Sequence, residues 1–129
     1  MRALSIRAPW AHAIAHLGKR VENRTWATSY RGPVLIHASS TFDRADFDAL
    51  AEIIDYHVEE SACVAGAIIA IADLVDCVDK EDAPSRWTVG PIAWKLRNVR
   101  VLSRPITAKG RLGLWTPSRR LLSAVHAAL

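Results

Sequence analysis

Hydrophobic and polar positions alternate along this chain in two periods, and the switches between them divide it into short elements. Ala3 to Ile6 is a brief apolar-leaning stretch that predicts a first strand. Pro9 then fits the opening turn of a helix, where a missing N–H costs nothing. Trp10, Ala13, Ile14 and Leu17 recur at i, i+3, i+4 and i+7, and Gly18 marks the stop. Val21 to Thr25 continues as an extended segment, with Glu22 and Arg24 on one side and Val21 and Asn23 on the other. Tyr30 to Pro33 reads as a turn, and Val34 to Ser39 as a strand. A capped helix start near Asp43 opens a long acidic helix, from Asp43 to about Glu60. Phe47, Leu50, Ala51, Ile54 and Val58 form its apolar side, and its acids are expected to face water.

The second half is richer in strands. Gly66 to Val78 is apolar on both sides at its start, as in a strand buried on both faces. Lys80 to Ser85 is a polar loop. Ile92, Trp94 and Leu96 alternate on one face, but Val99 and Val101 fall one residue out of phase. That slip predicts a bulge near Arg97–Asn98, a device of curved sheets and barrels. Lys109 to Arg111 is a turn, and Leu112 to Trp115 a short closing strand. A last helix starts near Thr116–Pro117, with Leu121, Leu122, Val125 and Leu129 as its apolar side. Five or six strands do not alternate regularly with three helices, so an α+β chain with a small curved or barrel-like sheet is expected, not a doubly wound one.

Composition bounds this picture. The 129 residues suit one domain, spanning 1–129. No apolar run reaches membrane-spanning length, and MRALSIRAPW carries no hydrophobic signal core, so a cytoplasmic protein is expected. Cys63 and Cys77 would there be free thiols. Charge is strongly segregated. Residues 1–42 hold six bases and one acid, residues 43–82 two bases and twelve acids, and residues 83–129 nine bases and no acid. Either the basic blocks share a face that draws anionic partners, or they pair with the acidic middle.

Segregation directs attention to LGKRVENRTW, residues 17–26. Glu22 is the only acid in the first 42 positions, and it sits between Lys19 and Arg24. A lysine beside a carboxylate holds an anion, or serves as a base or nucleophile when burial changes its proton affinity. Arg24 offers a planar fork for phosphate or carboxylate. An ordinary surface strand with ion pairs would show the same residues. His12 and His16 have the i, i+4 spacing of zinc ligands, but Ala13 stands where a metalloprotease has its glutamate, and no CxxC exists. No metal or other cofactor is expected. Five tryptophans are many for this length, and Trp10 and Trp26 flank the motif as stacking candidates. No nucleophile elbow or glycine-rich phosphate loop is present.

Three pieces together resemble the ASCH domain family of the PUA-like superfamily: LSIRAPWA, LGKRVENRTW with YRGPVLIHAS, and PIAWKLRNVRVL with PITAKGRLGLW. The family's G-x-K-x-x-E-x-R motif is met at Lys19, Glu22 and Arg24, with Leu17 in place of its first glycine. The resemblance implies a small PUA-like β-barrel with flanking helices around a cleft lined by the motif lysine. It implies a partner that is RNA or a modified nucleoside. It also raises three activities: an amidohydrolase removing the acetyl group of N-acetylated cytidine, a ribonuclease, and a non-catalytic RNA-binding module. The deacetylating members use the lysine, a threonine three residues later and a glutamate on a later strand. Lys19 matches the first, Glu22 occupies the second, and Asp73 is the acid the later strand offers. Lys19, Glu22 and Asp73 are therefore the catalytic candidates. Arg7, Pro9, Trp10, Arg24, Thr25 and Trp26 are the ligand-binding ones, with Arg7 and Trp10 as one wall and Trp26 as another. A monomer or weak dimer without membrane contact is expected.

Overall fold

The computed structural model describes all residues, Met1 to Leu129. Its strands are β1 (Arg2–Arg7), β2 (Val21–Arg24), β3 (Gly32–Ser39), β4 (Ala67–Asp79), β5 (Ile92–Thr107) and β6 (Leu114–Trp115). Its helices are α1 (Ala8–His16), α2 (Arg44–Ile54) and α3 (Arg119–Ala127), with single 3₁₀ turns at Glu60–Ala62 and Lys80–Asp82. The six strands form one sheet in the order β2-β5-β4-β3-β1-β6. Only β1 and β3 run parallel, and α1 and β2 form the crossover between them. The sheet curls into a half-barrel, so the expected α+β class stands, with the barrel left open along one side.

The curl has a local cause. Along the β4–β5 pair, Ile71 faces Arg100 and Asp73 faces Arg97, so β5 carries an extra residue there. Asn98 absorbs it at φ 52°, the left-handed region that asparagine tolerates better than most residues. This is the bulge the phase slip predicts, and bulges of this kind bend and twist a strand. Further register shifts lie between Ile68 and Ala70 and between Leu74 and Asp76.

The core has three parts. Leu4, Ile6, Val34, Ile36, Trp94 and Leu96 pack on the sheet face covered by α1, together with Ala11 and Ile14 of that helix. Ala3, Leu35, Ile68, Ile71 and Leu102 pack on the other face, under Val125 and Ala128 at the end of the chain. β3 and β4 are buried on both faces, which explains their unbroken apolar runs. Ala13, Val21, Leu50, Trp87 and Ala93 form the third part, between α1, α2 and β2. α1 is thus covered on two sides: Ala13 and Ile14 of the expected stripe are buried along with Ala11, whereas Trp10 and Leu17 are half-buried.

Three expectations need correction. The acidic helix ends at Ile54, six residues short of Glu60, because Asp55 turns into the left-handed region at φ 66°. Val58 still packs on the same apolar cluster from outside the helix. The closing strand shrinks to Leu114–Trp115, and Leu112 is 98 % exposed. Leu129 lies beyond the end of α3 and is exposed, whereas Ala128 is buried in its place. No helix is long and apolar enough to cross a membrane. Both cysteines are free.

The segregated charges divide between the two readings. Arg7 pairs with Asp43 and Asp46, and Arg31 with Asp76, so the first basic block leans on the acidic middle. Of the nine bases in residues 83–129, only Arg100 enters an ion pair, with Asp73.

Candidate functional site

The open side of the half-barrel is where the site forms. β6 pairs with Ala3 and Leu4 of β1 and goes no further. The rest of that edge, Ser5 to Arg7, faces β2 at the other end of the sheet order. Between them lies a cleft of about 380 Å³.

α1 delivers the lysine. Its last turn closes when the Ala13 carbonyl accepts from the amides of both Leu17 and Lys19. Gly18 sits between them at φ 77°, a conformation that favours glycine. Arg20 donates to the Ile14 carbonyl and satisfies another helix-end oxygen. The chain therefore reverses tightly and sends Lys19 inward. Its side chain is 2 % exposed. Nζ donates to the Val21 carbonyl and to Glu22 Oε1 at 2.9 Å, and it stands 5.9 Å from the centre of the Trp10 ring. An ammonium group has three donors, so one N–H remains after these two bonds.

β2 presents the rest of the motif. Glu22 is buried, and its second oxygen, Oε2, lies 3.1 Å from Arg24 Nε. This is a close ionic contact whose alignment falls short of a hydrogen bond, so Arg24 Nε has no hydrogen-bond partner. Arg24 Nη2 donates across the cleft to the Ser5 carbonyl at 2.9 Å. Lys19, Glu22 and Arg24 thus form one continuous chain of charges, as the alternation of β2 requires for Glu22 and Arg24. Asn23 points elsewhere. It donates to the Trp87 carbonyl at 2.9 Å and accepts from the amides of Val89 and Gly90 at 3.0 and 3.2 Å. Those bonds hold the Trp87–Gly90 segment against the cleft.

Of the candidate residues, Arg7, Trp10, Lys19, Glu22 and Arg24 line this one cleft. The others do not. Pro9 is buried in the first turn of α1. Thr25 is exposed beyond the end of β2. Trp26 packs edge-on against Trp94 at 4.8 Å, and its carbonyl accepts from Trp94 Nε1, so it braces the barrel and is no wall of the cleft. Asp73 lies on β4, outside the cleft, held by Arg100 at 2.8 Å and Asn98 at 3.2 Å. The second wall is built instead from Trp87, Val89 and Ile53.

Asp46 is the main addition. It was expected to face water with the other acids of α2, yet it is 8 % exposed and lines the cleft. Its Oδ2 lies 3.0 Å from Arg7 Nε, again without a hydrogen bond. The signal was present in the sequence: Asp46, Leu50 and Ile53 fall at i, i+4 and i+7, on one helical face. The cleft floor thus carries two polar atoms, Arg24 Nε and Asp46 Oδ2, that are buried and unsatisfied. Such atoms are rare in folded proteins unless a ligand or water completes them.

His12 and His16 lie on α1 with ring centres 4.9 Å apart, away from these residues. Burial, and then the neighbouring His16, pushes His12 below the ordinary histidine range. No three His, Cys, Asp or Glu side chains come together to hold a metal ion.

Comparison with known proteins agrees with this architecture. The family model of the ASCH domain matches residues 4–103. Among solved structures, the chain is similar to the crystal structure of ASCH from Zymomonas mobilis, with a TM-score of 0.64 and 15 % identity, over 98 % of this chain and 93 % of that one. At this identity the likeness speaks for the fold. No curated protein matches the sequence. The family match takes in most of β1, all of α1, the Lys19–Glu22–Arg24 triplet and most of the sheet that frames the cleft, and on that basis the chain belongs to the ASCH domain family.

Proposed function

We propose that the cleft binds a nucleoside, free or within RNA, by the polar edge of its base, and hydrolyses an exocyclic amide on a modified base such as N-acetylated cytidine. The observation that carries this reading is the buried Lys19 paired with Glu22 at the floor of the cleft. A cleft of about 380 Å³ is within the range of small-molecule sites. It mixes aromatic walls with donors and acceptors, as recognition of a planar polar ring requires.

Each residue has a role in this reading. The remaining N–H of Lys19 polarises the acetyl carbonyl and stabilises the oxyanion that forms there. Glu22 takes a proton from the attacking water and returns it to the departing exocyclic nitrogen. Water adds to the carbonyl carbon, the C–N bond breaks, and acetate and the free amine leave. Asp46 accepts from donors on the base edge, and Arg24 donates to a ring carbonyl or a sugar oxygen. Trp10 and Trp87 border the ring.

A second reading is a binding module without turnover, favoured by the unpaired bases of residues 83–129. One experiment separates the two. Purified protein and Lys19→Ala are incubated with N-acetylcytidine and with a generic RNA, and products are followed by chromatography. Acetate release that falls on the order of 10²–10³-fold in the variant supports the amidohydrolase. Shortened RNA would show a ribonuclease instead. Binding without either product selects the module, and no binding to any of these ligands would sink the nucleic-acid reading. Asp73→Asn, outside the cleft, is expected to release acetate at the wild-type rate.

A further inference from the structure

A second polar cavity lies on the other face of β1. Ser5 and His37 are partners in the parallel β1–β3 register and share this face, opposite Leu4 and Ile6. His37 is 1 % exposed. Its Nε2 donates to the Ala108 carbonyl at 2.7 Å, so in the neutral ring Nδ1 is an acceptor, and that acceptor has no partner. The buried Oγ of Ser39 is also unpartnered. Both residues line a cavity of about 590 Å³ under the Thr107–Leu112 segment.

Three further features give this cavity a chemistry. No acidic residue lines it. Lys109 and Arg111 stand on its rim, exposed and in no ion pair. The same segment borders a neighbouring cavity of about 620 Å³, again without acids and with Arg120 beside it. Gly110 packs directly on the floor: a Cβ there would come within 2.8 Å of His37 Cε1 and of Ser5 Oγ. The floor therefore offers an acceptor and a hydroxyl, and the rim offers two free cations.

We propose that this cavity is a ribose-phosphate site, in which Lys109 and Arg111 hold the phosphate and His37 Nδ1 accepts from a sugar hydroxyl. A phosphodiester has no proton to give Nδ1 in the neutral ring, whereas a ribose hydroxyl has one. A deoxyribose backbone lacks the 2′-hydroxyl. The ribose phosphate comes from an RNA strand, in which case the inference rests on the nucleic-acid reading of the cleft, or from a free sugar phosphate, in which case it does not.

The test uses the full chain with Lys109→Ala/Arg111→Ala and with Gly110→Ala, beside Lys19→Ala. Lys109 and Arg111 are exposed, so their double variant is expected to fold, as circular dichroism would verify. Binding of a short labelled single-stranded RNA and its DNA counterpart is measured by anisotropy over a salt series. Ribose 5-phosphate and 2-deoxyribose 5-phosphate are titrated by NMR while the His37 ring resonances are followed. The double variant is expected to lose on the order of tenfold in RNA affinity, with a salt slope shallower by about 0.7 for the one phosphate held on a single strand. Gly110→Ala is expected to erase the preference for ribose over deoxyribose, and ribose 5-phosphate to shift His37 in the wild type but not in the double variant. If RNA fails to bind but ribose 5-phosphate still shifts His37 through Lys109 and Arg111, the site stands with a free sugar phosphate as its source, and the cleft reading loses its RNA form while its free-nucleoside form stands. If RNA binds equally well to wild type and double variant with one salt slope, or the two sugar phosphates bind alike, the ribose-phosphate site is overturned and the cleft reading is untouched.

Discussion

Replacing Glu22 by glutamine removes the charge that Lys19 and Arg24 share while leaving the shape of the site almost unchanged. The two cations respond unequally. Arg24 is 22 % exposed and keeps its bond to the Ser5 carbonyl, so its loss is near that of a surface pair, at most about 1 kcal/mol. Lys19 is 2 % exposed and retains only neutral acceptors. Breaking a buried pair by removing one partner costs about 3–5 kcal/mol. The Val21 carbonyl and the glutamine oxygen place Lys19 at the lower end, about 3 kcal/mol. For a chain of this length that corresponds to a fall in Tm of roughly 10 °C. Lys19→Met takes away the buried cation itself and leaves Glu22 with Arg24, so its loss is smaller, about 1–2 kcal/mol. The double variant is then less destabilised than the two single losses together, by about 1.5 kcal/mol or more. Urea melts followed by tryptophan fluorescence measure all three, with a constant slope showing that the unfolded state is unchanged. A loss under about 0.5 kcal/mol for Glu22→Gln, or strict additivity in the double variant, would refute the premise that Lys19 and Glu22 are a buried pair.

Two more expectations concern the surroundings of the cleft. Asn23→Ala removes three hydrogen bonds to the Trp87–Gly90 segment; a loss of about 2 kcal/mol is expected, with faster amide exchange at Val89 and Gly90 and weaker binding in the cleft, all readable by exchange NMR. His12 is pushed below the ordinary histidine range by burial and then by His16. The unfolded chain therefore takes up a proton that the folded one resists, so the stability tied to His12 is full above about pH 6.5 and is lost as pH falls below it. His12→Gln is expected to flatten that decline in urea melts run from pH 7.5 to pH 5.

What could be read in advance was local. Pro9, the Trp10–Leu17 spacing and Gly18 specify α1 and its stop because caps and periodicity act within a few residues. The bulge at Asn98 was legible because a strand that slips phase must place an extra residue somewhere. The Glu22–Arg24 face followed from strand alternation alone. The second wall of the cleft was not legible. Trp87 reaches it through hydrogen bonds to Asn23, 64 positions away in sequence, and no period links the two. Trp26, adjacent to the motif, looked the better wall, but Trp94 needed a partner for its indole N–H and took the Trp26 carbonyl. Asp73 shares a strand with the core, yet the β5 bulge brings Arg100 and Asn98 to it and spends its charge there. Asp46 differs from the other acids of its helix because it stands on the apolar face, where it meets Arg7.

The gap between β1 and β2 has a mechanical meaning. Every other neighbouring pair of strands in the half-barrel is tied by a backbone ladder, whereas these two edges are stitched by one guanidinium, from Arg24 to the Ser5 carbonyl. The girth of the molecule is therefore adjustable at this line and nowhere else along the sheet without tearing a ladder. A ligand that drew Arg24 to itself would release this one bond, and with it the tie across the opening. In the proposed reading Arg24 would be both a contact for the guest and the fastener of the door, so substitutions there should alter the size of ligand accepted as well as the strength with which it is held.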